Sequence, residues 1–173
     1  MAKPLIAIVG RPNVGKSTFF NRVLSVRQAI VDAQEGVTRD RIYGEMEWCA
    51  QPLKFIDTGG YIPEDFDLFN AAVREQAQEA VGEADLVLFM VDGKQGPTAS
   101  DQALAQFVRE SGKPHILAVN KCDGYKTDGL IHQFHEFGLE NPLPISALNG
   151  RLTGNLLDTI LEKLDLSESL GEN

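Results

Sequence analysis

Three short apolar runs stand out along the chain: Leu5-Ile6-Ala7-Ile8-Val9, Leu86-Val87-Leu88-Phe89-Met90-Val91 and Ile116-Leu117-Ala118-Val119. None alternates polar with apolar positions, which predicts strands buried on both faces, as in parallel sheets. Leu143-Pro144-Ile145 predicts a shorter strand. Between these runs the apolar spacing turns helical, over Lys16–Leu24, Asn70–Glu83, Ala99–Ser111, Asp128–Phe137 and Asn155–Leu164. Alternation of this kind predicts βαβ units in an α/β sandwich with a mostly parallel sheet of about six strands. One stretch breaks the rhythm. Arg41–Cys49 and Leu53–Ile56 read as two strands joined by Ala50-Gln51-Pro52, too close for a helix between them. A hairpin follows, and with it one antiparallel strand at a sheet edge. Ser25–Asp40 and Thr58–Leu68 read as irregular, and loops of that length in a compact domain are usually functional or mobile. Residues 1–164 form the expected domain, and 165–173, acidic and small-polar, read as the start of a linker.

Composition narrows the class. A chain of 173 residues with 43% hydrophobic and 24% charged residues is long enough for one domain with its own core, and disorder and coiled coil are disfavoured. Sixteen basic against twenty-five acidic residues leave a net charge of −9. That balance argues against a broad grip on nucleic acid or an anionic membrane, while leaving room for a local basic site that holds phosphates. Cys49 and Cys122 show no metal-ligand spacing with each other or with histidine, so zinc is not expected, and two cysteines suit a reducing compartment. His132 and His135 could share a helix face, but a solvated face is the simpler reading. No apolar run approaches the length of a membrane span. The expectation is a cytoplasmic protein with no membrane association.

The candidate chemistry sits directly after the apolar runs. Gly10-Arg11-Pro12-Asn13-Val14-Gly15-Lys16-Ser17 follows the first strand and opens a helix, matching the phosphate-binding loop at every defined position. Its glycines let successive amides point at phosphate oxygens, and the helix N-terminus adds partial positive charge. Lys16 would bridge the β- and γ-phosphates, and the Ser17 hydroxyl would hold Mg²⁺. The alternative, a glycine-rich turn with a solvated lysine, does not explain the full match in that context. Asp57-Thr58-Gly59-Gly60 ends another apolar strand about 40 residues on. There Asp57 could hold Mg²⁺, and the Gly60 amide could reach a γ-phosphate. Asn120-Lys121-Cys122-Asp123 follows the third run. A carboxylate at Asp123 fits the adjacent N1–H and 2-amino donors of guanine and opposes the N1 acceptor of adenine, and a site built on such bonds rejects the wrong base. Taken alone, Asn and Asp after a strand are ordinary turn formers. Ser146-Ala147-Leu148 comes last, where a backbone amide could donate to guanine O6.

In this order, with Thr38 added, the motifs resemble the five signatures of Ras-like P-loop GTPases over Leu5 to about Leu164. Arg11–Thr18 with Phe20-Asn21-Arg22 narrows the resemblance to the Era/EngA/TrmE branch. Gly36-Val37-Thr38-Arg39-Asp40-Arg41 with Asp57–Gly60 is similar to the first G domain of the EngA (Der) family. The resemblance implies a Ras-like three-layer sandwich that binds GTP and GDP through Asn13, Val14, Gly15, Lys16, Ser17, Thr18, Asn120, Lys121, Asp123, Ser146, Ala147 and Leu148. It implies Mg²⁺ at Ser17, Thr38 and Asp57, and hydrolysis supported by Lys16, Thr38 and Gly60. Tyr61 stands where Ras-like enzymes keep a water-orienting glutamine, which implies a slow intrinsic rate. Leu148 stands where many relatives place a lysine over the base. Asn13 occupies the position at which potassium-activated relatives place an asparagine ligand, which implies K⁺ held with carbonyls near Ala33–Gly36. The family carries two G domains in tandem and a KH-like domain, and its role is assembly of the large ribosomal subunit. That partner would be met through the further domains, with no direct nucleic-acid binding by this one. A nucleotide-gated interaction module with very slow turnover is the rival reading, and an ATPase is a second rival that Asp123 disfavours.

Overall fold

A computed structural model describes residues 3–11, 13–24, 30–32, 41–57, 78–140 and 142–164. Strand β1 (Leu5–Val9) leads into helix α1 (Lys16–Val23). Strands β2 (Ile30–Asp32), β3 (Arg41–Trp48) and β4 (Gln51–Asp57) follow. Helix α2 is described over 78–83. Then come β5 (Leu86–Asp92), α3 (Ala99–Ser111), β6 (His115–Asn120), a 3-10 helix (Tyr125–Phe137), β7 (Leu143–Pro144) and α4 (Thr153–Lys163).

The strands form one sheet in the order β2-β3-β4-β1-β5-β6-β7. β4, β1, β5, β6 and β7 are parallel, and β3 alone runs against both its neighbours. The α/β class and the lone antiparallel strand agree with the sequence. The described residues add a seventh strand, β2, inside a stretch read as irregular, so β3 lies one place in from the edge. Ile30-Val31 is an apolar pair too short to stand out in the sequence as a strand. The β3–β4 turn is tighter than expected. Trp48 pairs with Gln51, leaving Cys49 and Ala50 as a two-residue loop with φ of 52° and 65°, the left-handed geometry that matches strand twist.

Alternation through the buried strands builds two cores. Ile6 and Ile8 face α1 and α4 with Phe19, Phe55, Leu88, Leu156 and Ile160. Ala7 and Val9 face α2, α3 and the 3-10 helix with Phe89, Leu104, Val108, Phe134 and Phe137. Helix α3 has the span expected, fixed by a Thr98/Asp101 capping box and by Gly112 in the left-handed region at its C-cap. The segment over Asp128–Phe137 is helical as expected, but of the 3-10 type and longer at its start. Its apolar residues Ile131, Phe134 and Phe137 recur every third position and pack on the same core, a spacing that three residues per turn aligns and 3.6 does not.

The consequence for function is geometric. In register, Ile8 lies beside Asp57, Val9 beside Phe89 and Asp92 beside Asn120. Four parallel strands therefore run to the same edge of the sheet, β5 and β6 reaching three residues past β1, and the loops beyond their carboxyl ends share one rim, the place where open α/β sheets bind ligands.

Candidate functional site

At one end of the rim lies the loop between β1 and α1. Gly15 has φ +108°, and a Cβ there would come 2.0 Å from Asn120 Nδ2; at Gly10 a Cβ would come 2.5 Å from the Met90 carbonyl oxygen. The two glycines thus admit the neighbouring strands' polar groups, a requirement the motif shares with phosphate binding. Lys16 turns back over the loop and donates to the carbonyls of Gly10 at 2.5 Å and Arg11 at 3.0 Å. Burial pushes its ammonium down to about 8, against the pull of the Asp57 carboxylate.

Ser17 Oγ donates to Asp57 Oδ2 at 3.0 Å, bringing together two hard oxygens from α1 and β4. Among the described residues no cluster of three or more His, Cys, Asp or Glu could hold a metal alone. That donor set fits Mg²⁺, which keeps waters and takes further ligands from substrate phosphates. Thr38 and Gly60 lie outside the described residues, as does the Ala33–Gly36 loop.

Asn120 joins the two ends of the rim. Its Nδ2 donates to the Val14 carbonyl at 2.8 Å, and its Oδ1 accepts from the Ala147 amide at 2.9 Å. Lys121, with φ 68°, donates to the Asn13 carbonyl at 3.2 Å and pairs with Asp92 at 2.8 Å. At the far corner Asp123 Oδ1 accepts from Ser146 Oγ at 2.9 Å, while Oδ2 accepts from Lys94 Nζ at 2.7 Å. Lys94 first, and then Ser146, hold the Asp123 carboxyl below its ordinary value. Leu148 is 72% exposed beside this corner. Thr18 lies on α1, and Asn13, at φ 68°, forms the exposed shoulder of the phosphate loop. The structure therefore brings Asn13–Thr18, Asp57, Asn120–Asp123 and Ser146–Leu148 to one rim.

Several residues that tie this rim together carry no sequence signal of their own. Asp92 ends β5 as Asp57 ends β4, and it accepts from the amides of Lys94 and Gln95 besides pairing with Lys121. Burial alone would raise its carboxyl; Lys121 and the two amides together hold it below its ordinary value. A strand-end Asp-Gly on the rim was the available hint. Asp101, fully buried, pairs with Arg11 of the phosphate loop at 3.3 Å. Burial pushes this carboxyl up, against the pull of Arg11. Arg151 binds Asp128 through two bonds of 2.7 and 2.8 Å and donates to the Cys122 carbonyl at 3.2 Å. It thereby ties the Ser146–Arg151 turn to the loop that carries Asp123.

Fold and rim together define a P-loop nucleotide-binding domain of the Ras-like type. The family model described as "50S ribosome-binding GTPase" matches residues 5–121, and the chain belongs to this GTPase family. It is similar to GTPase Der of Clostridium novyi, 53% identical over 163 residues, which make up 94% of this chain and 37% of the relative. GTPase Der of Moorella thermoacetica is 47% identical over 164 residues, 95% of this chain and 37% of the relative. The chain thus spans little more than a third of the length of these relatives. Among solved structures, an Era variant of Aquifex aeolicus bound to GDP·AlF4⁻ superimposes with a TM-score of 0.74 at 34% identity, covering 94% of this chain and 57% of that one. The G domain of the T. maritima FeoB iron transporter shares the fold, with a TM-score of 0.70 at 23% identity and coverage of 94% and 99%.

Proposed function

We propose that this domain binds GTP in the presence of Mg²⁺ and hydrolyses it slowly to GDP and phosphate. The observation that carries the reading is the Asn120 side chain, which fastens the phosphate loop at Val14 to the base loop at Ala147. One rim then offers a cation and a hydroxyl–carboxylate pair at one end and a base-reading carboxylate at the other. Lys16 swings from the carbonyls of Gly10 and Arg11 onto phosphate oxygens, where its charge offsets what accumulates as the γ-phosphoryl group departs. Ser17 and Asp57, with Thr38, would hold Mg²⁺, which would supply further positive charge beside the phosphates. The Gly60 amide supports the γ-phosphate. Asp123 accepts from guanine N1–H and the 2-amino group, with Lys94 moving aside or sharing Oδ2, and an amide of Ser146–Leu148 meets O6. Asn13, on the exposed shoulder of the loop, would contribute a K⁺ ligand.

Changing Asp123→Asn exchanges an acceptor for a group that also donates, so preference moves from guanosine to xanthosine diphosphate. Unchanged GDP binding by that variant would refute the assignment. For potassium, GTP turnover is expected to be faster in KCl than in NaCl at equal ionic strength, and Asn13→Ala is expected to abolish the difference. Equal rates in the two salts for the parent would reject the ion.

The description of the matching family points to the large ribosomal subunit as the partner of the whole protein, and a related Era structure holds 16S ribosomal RNA. For this domain, the net charge of −9 favours a role as a nucleotide-driven switch in the cytoplasm whose RNA contacts lie elsewhere. Residues 1–164 are the folding unit and 165–173 a linker. The slow-hydrolysing interaction module remains the second reading, favoured by Tyr61 in place of the glutamine. Single-turnover hydrolysis separates the two.

A further inference from the structure

Arg22 lies on the last turn of α1, the helix that starts at Lys16 and Ser17. Its guanidinium reaches across to the base loop and donates twice, from Nε to the Ala147 carbonyl and from Nη2 to the Leu148 carbonyl, both at 2.5 Å. The two acceptors are consecutive, so the fork sets the orientation of the peptide plane between them as well as its position. Gly150 makes room for the fork. Its φ is +80°, and a Cβ there would come 2.8 Å from Arg22 Nη1. The amide of Ala147 is meanwhile held by Asn120. The base loop is therefore held from two sides, by Asn120 at the Ala147 amide and by Arg22 at the carbonyls of Ala147 and Leu148.

We infer that Arg22 is a positioning residue for guanine recognition: through the Ala147 and Leu148 carbonyls it fixes the base loop to the phosphate helix, so that base affinity depends on a side chain the base does not touch. The inference rests on the guanine-nucleotide reading above. Removing the fork loosens one side of the loop and leaves the phosphate loop intact, because Arg22 makes neither of the Lys16 bonds nor the Ser17–Asp57 bond.

The test compares ligands with and without a base. Binding of GDP, ADP and inorganic tripolyphosphate, each with Mg²⁺, is measured by calorimetry for the parent, Arg22→Ala and Arg22→Lys. Arg22→Ala is expected to weaken GDP about ten-fold, mostly through faster dissociation, and to narrow the preference for GDP over ADP. Tripolyphosphate affinity should stay within about two-fold of the parent. Arg22→Lys is expected to recover only part of the loss, since one ammonium cannot hold two carbonyls in a fixed plane. Equal weakening of GDP and tripolyphosphate would mean that Arg22 supports the fold in general, and unchanged GDP binding would mean that it supports nothing at the base; each overturns the inference. A parent that does not prefer GDP to ADP overturns the guanine reading itself, an outcome visible before any variant is made.

Discussion

At the residue scale the rim depends on space left by missing atoms. A Cβ at Gly15 would collide with Asn120 Nδ2 in a backbone conformation that side chains rarely adopt. Gly15→Ala should displace the Asn120 amide from both Val14 and Ala147, lowering stability by about 2–4 kcal/mol in urea unfolding. Loss of measurable GDP binding is expected with it. The same scale shows what a sequence hides. Gly15, Lys16 and Asp123 are legible because a local motif fixes their chemistry. Arg22 stands in a family signature, but its role is not legible there, because its partner Ala147 lies 125 positions away. Arg151 was missed for the same reason, its partner Asp128 lying 23 positions away. The two cysteines differ sharply in setting. Burial pushes the Cys122 thiol up to about 11, while Cys49 is exposed on the hairpin turn. Titration with a thiol reagent at pH 7 should therefore show one reactive thiol in the folded protein and a second only in denaturant.

At the scale of elements, the buried strands and α3 were legible because continuous apolar runs and helical apolar spacing act locally. The sequence marks Asp128–Phe137 as helical without fixing its pitch; the packing of Ile131, Phe134 and Phe137 on one core, three residues apart, goes with the 3-10 form. Two predictions belong here. Ala50 occupies the left-handed region at φ 65° in the β3–β4 turn. Ala50→Gly is expected to stabilise the domain by about 0.5–1 kcal/mol in urea unfolding, since glycine adopts that conformation without strain. The second concerns the join between the 3-10 helix and the turn before α4. The Arg151 guanidinium holds the Asp128 carboxyl below its ordinary value. The folded state thus keeps this carboxylate ionised at pH values where the unfolded chain protonates it. Its stabilisation is complete above the ordinary carboxylate range and is lost as pH falls through the lowered folded value. Asp128→Asn should be less stable than the parent at pH 7, with the gap closing below about pH 4.

At the scale of the whole molecule, two cores share one sheet, and every described core residue lies between Ile6 and Leu161. If 165–173 form the linker proposed above, a chain ending at Leu164 is expected to melt within about 2 °C of the parent by circular dichroism. A larger drop would place the domain boundary later. Trp48, the chain's one tryptophan, supplies the means to watch such unfolding. Its indole donates to Asp158 Oδ1 at 2.8 Å, and its ring packs against Gly154 of α4. It pairs with Gln51 at the start of β4, whereas Asp57 ends that strand, roughly 20 Å away at 3.3 Å per residue. The intrinsic emission of this protein is thus set by the seam between the hairpin and α4. A fluorometer will record that seam opening, and nucleotide occupancy at the opposite rim should leave its signal unchanged.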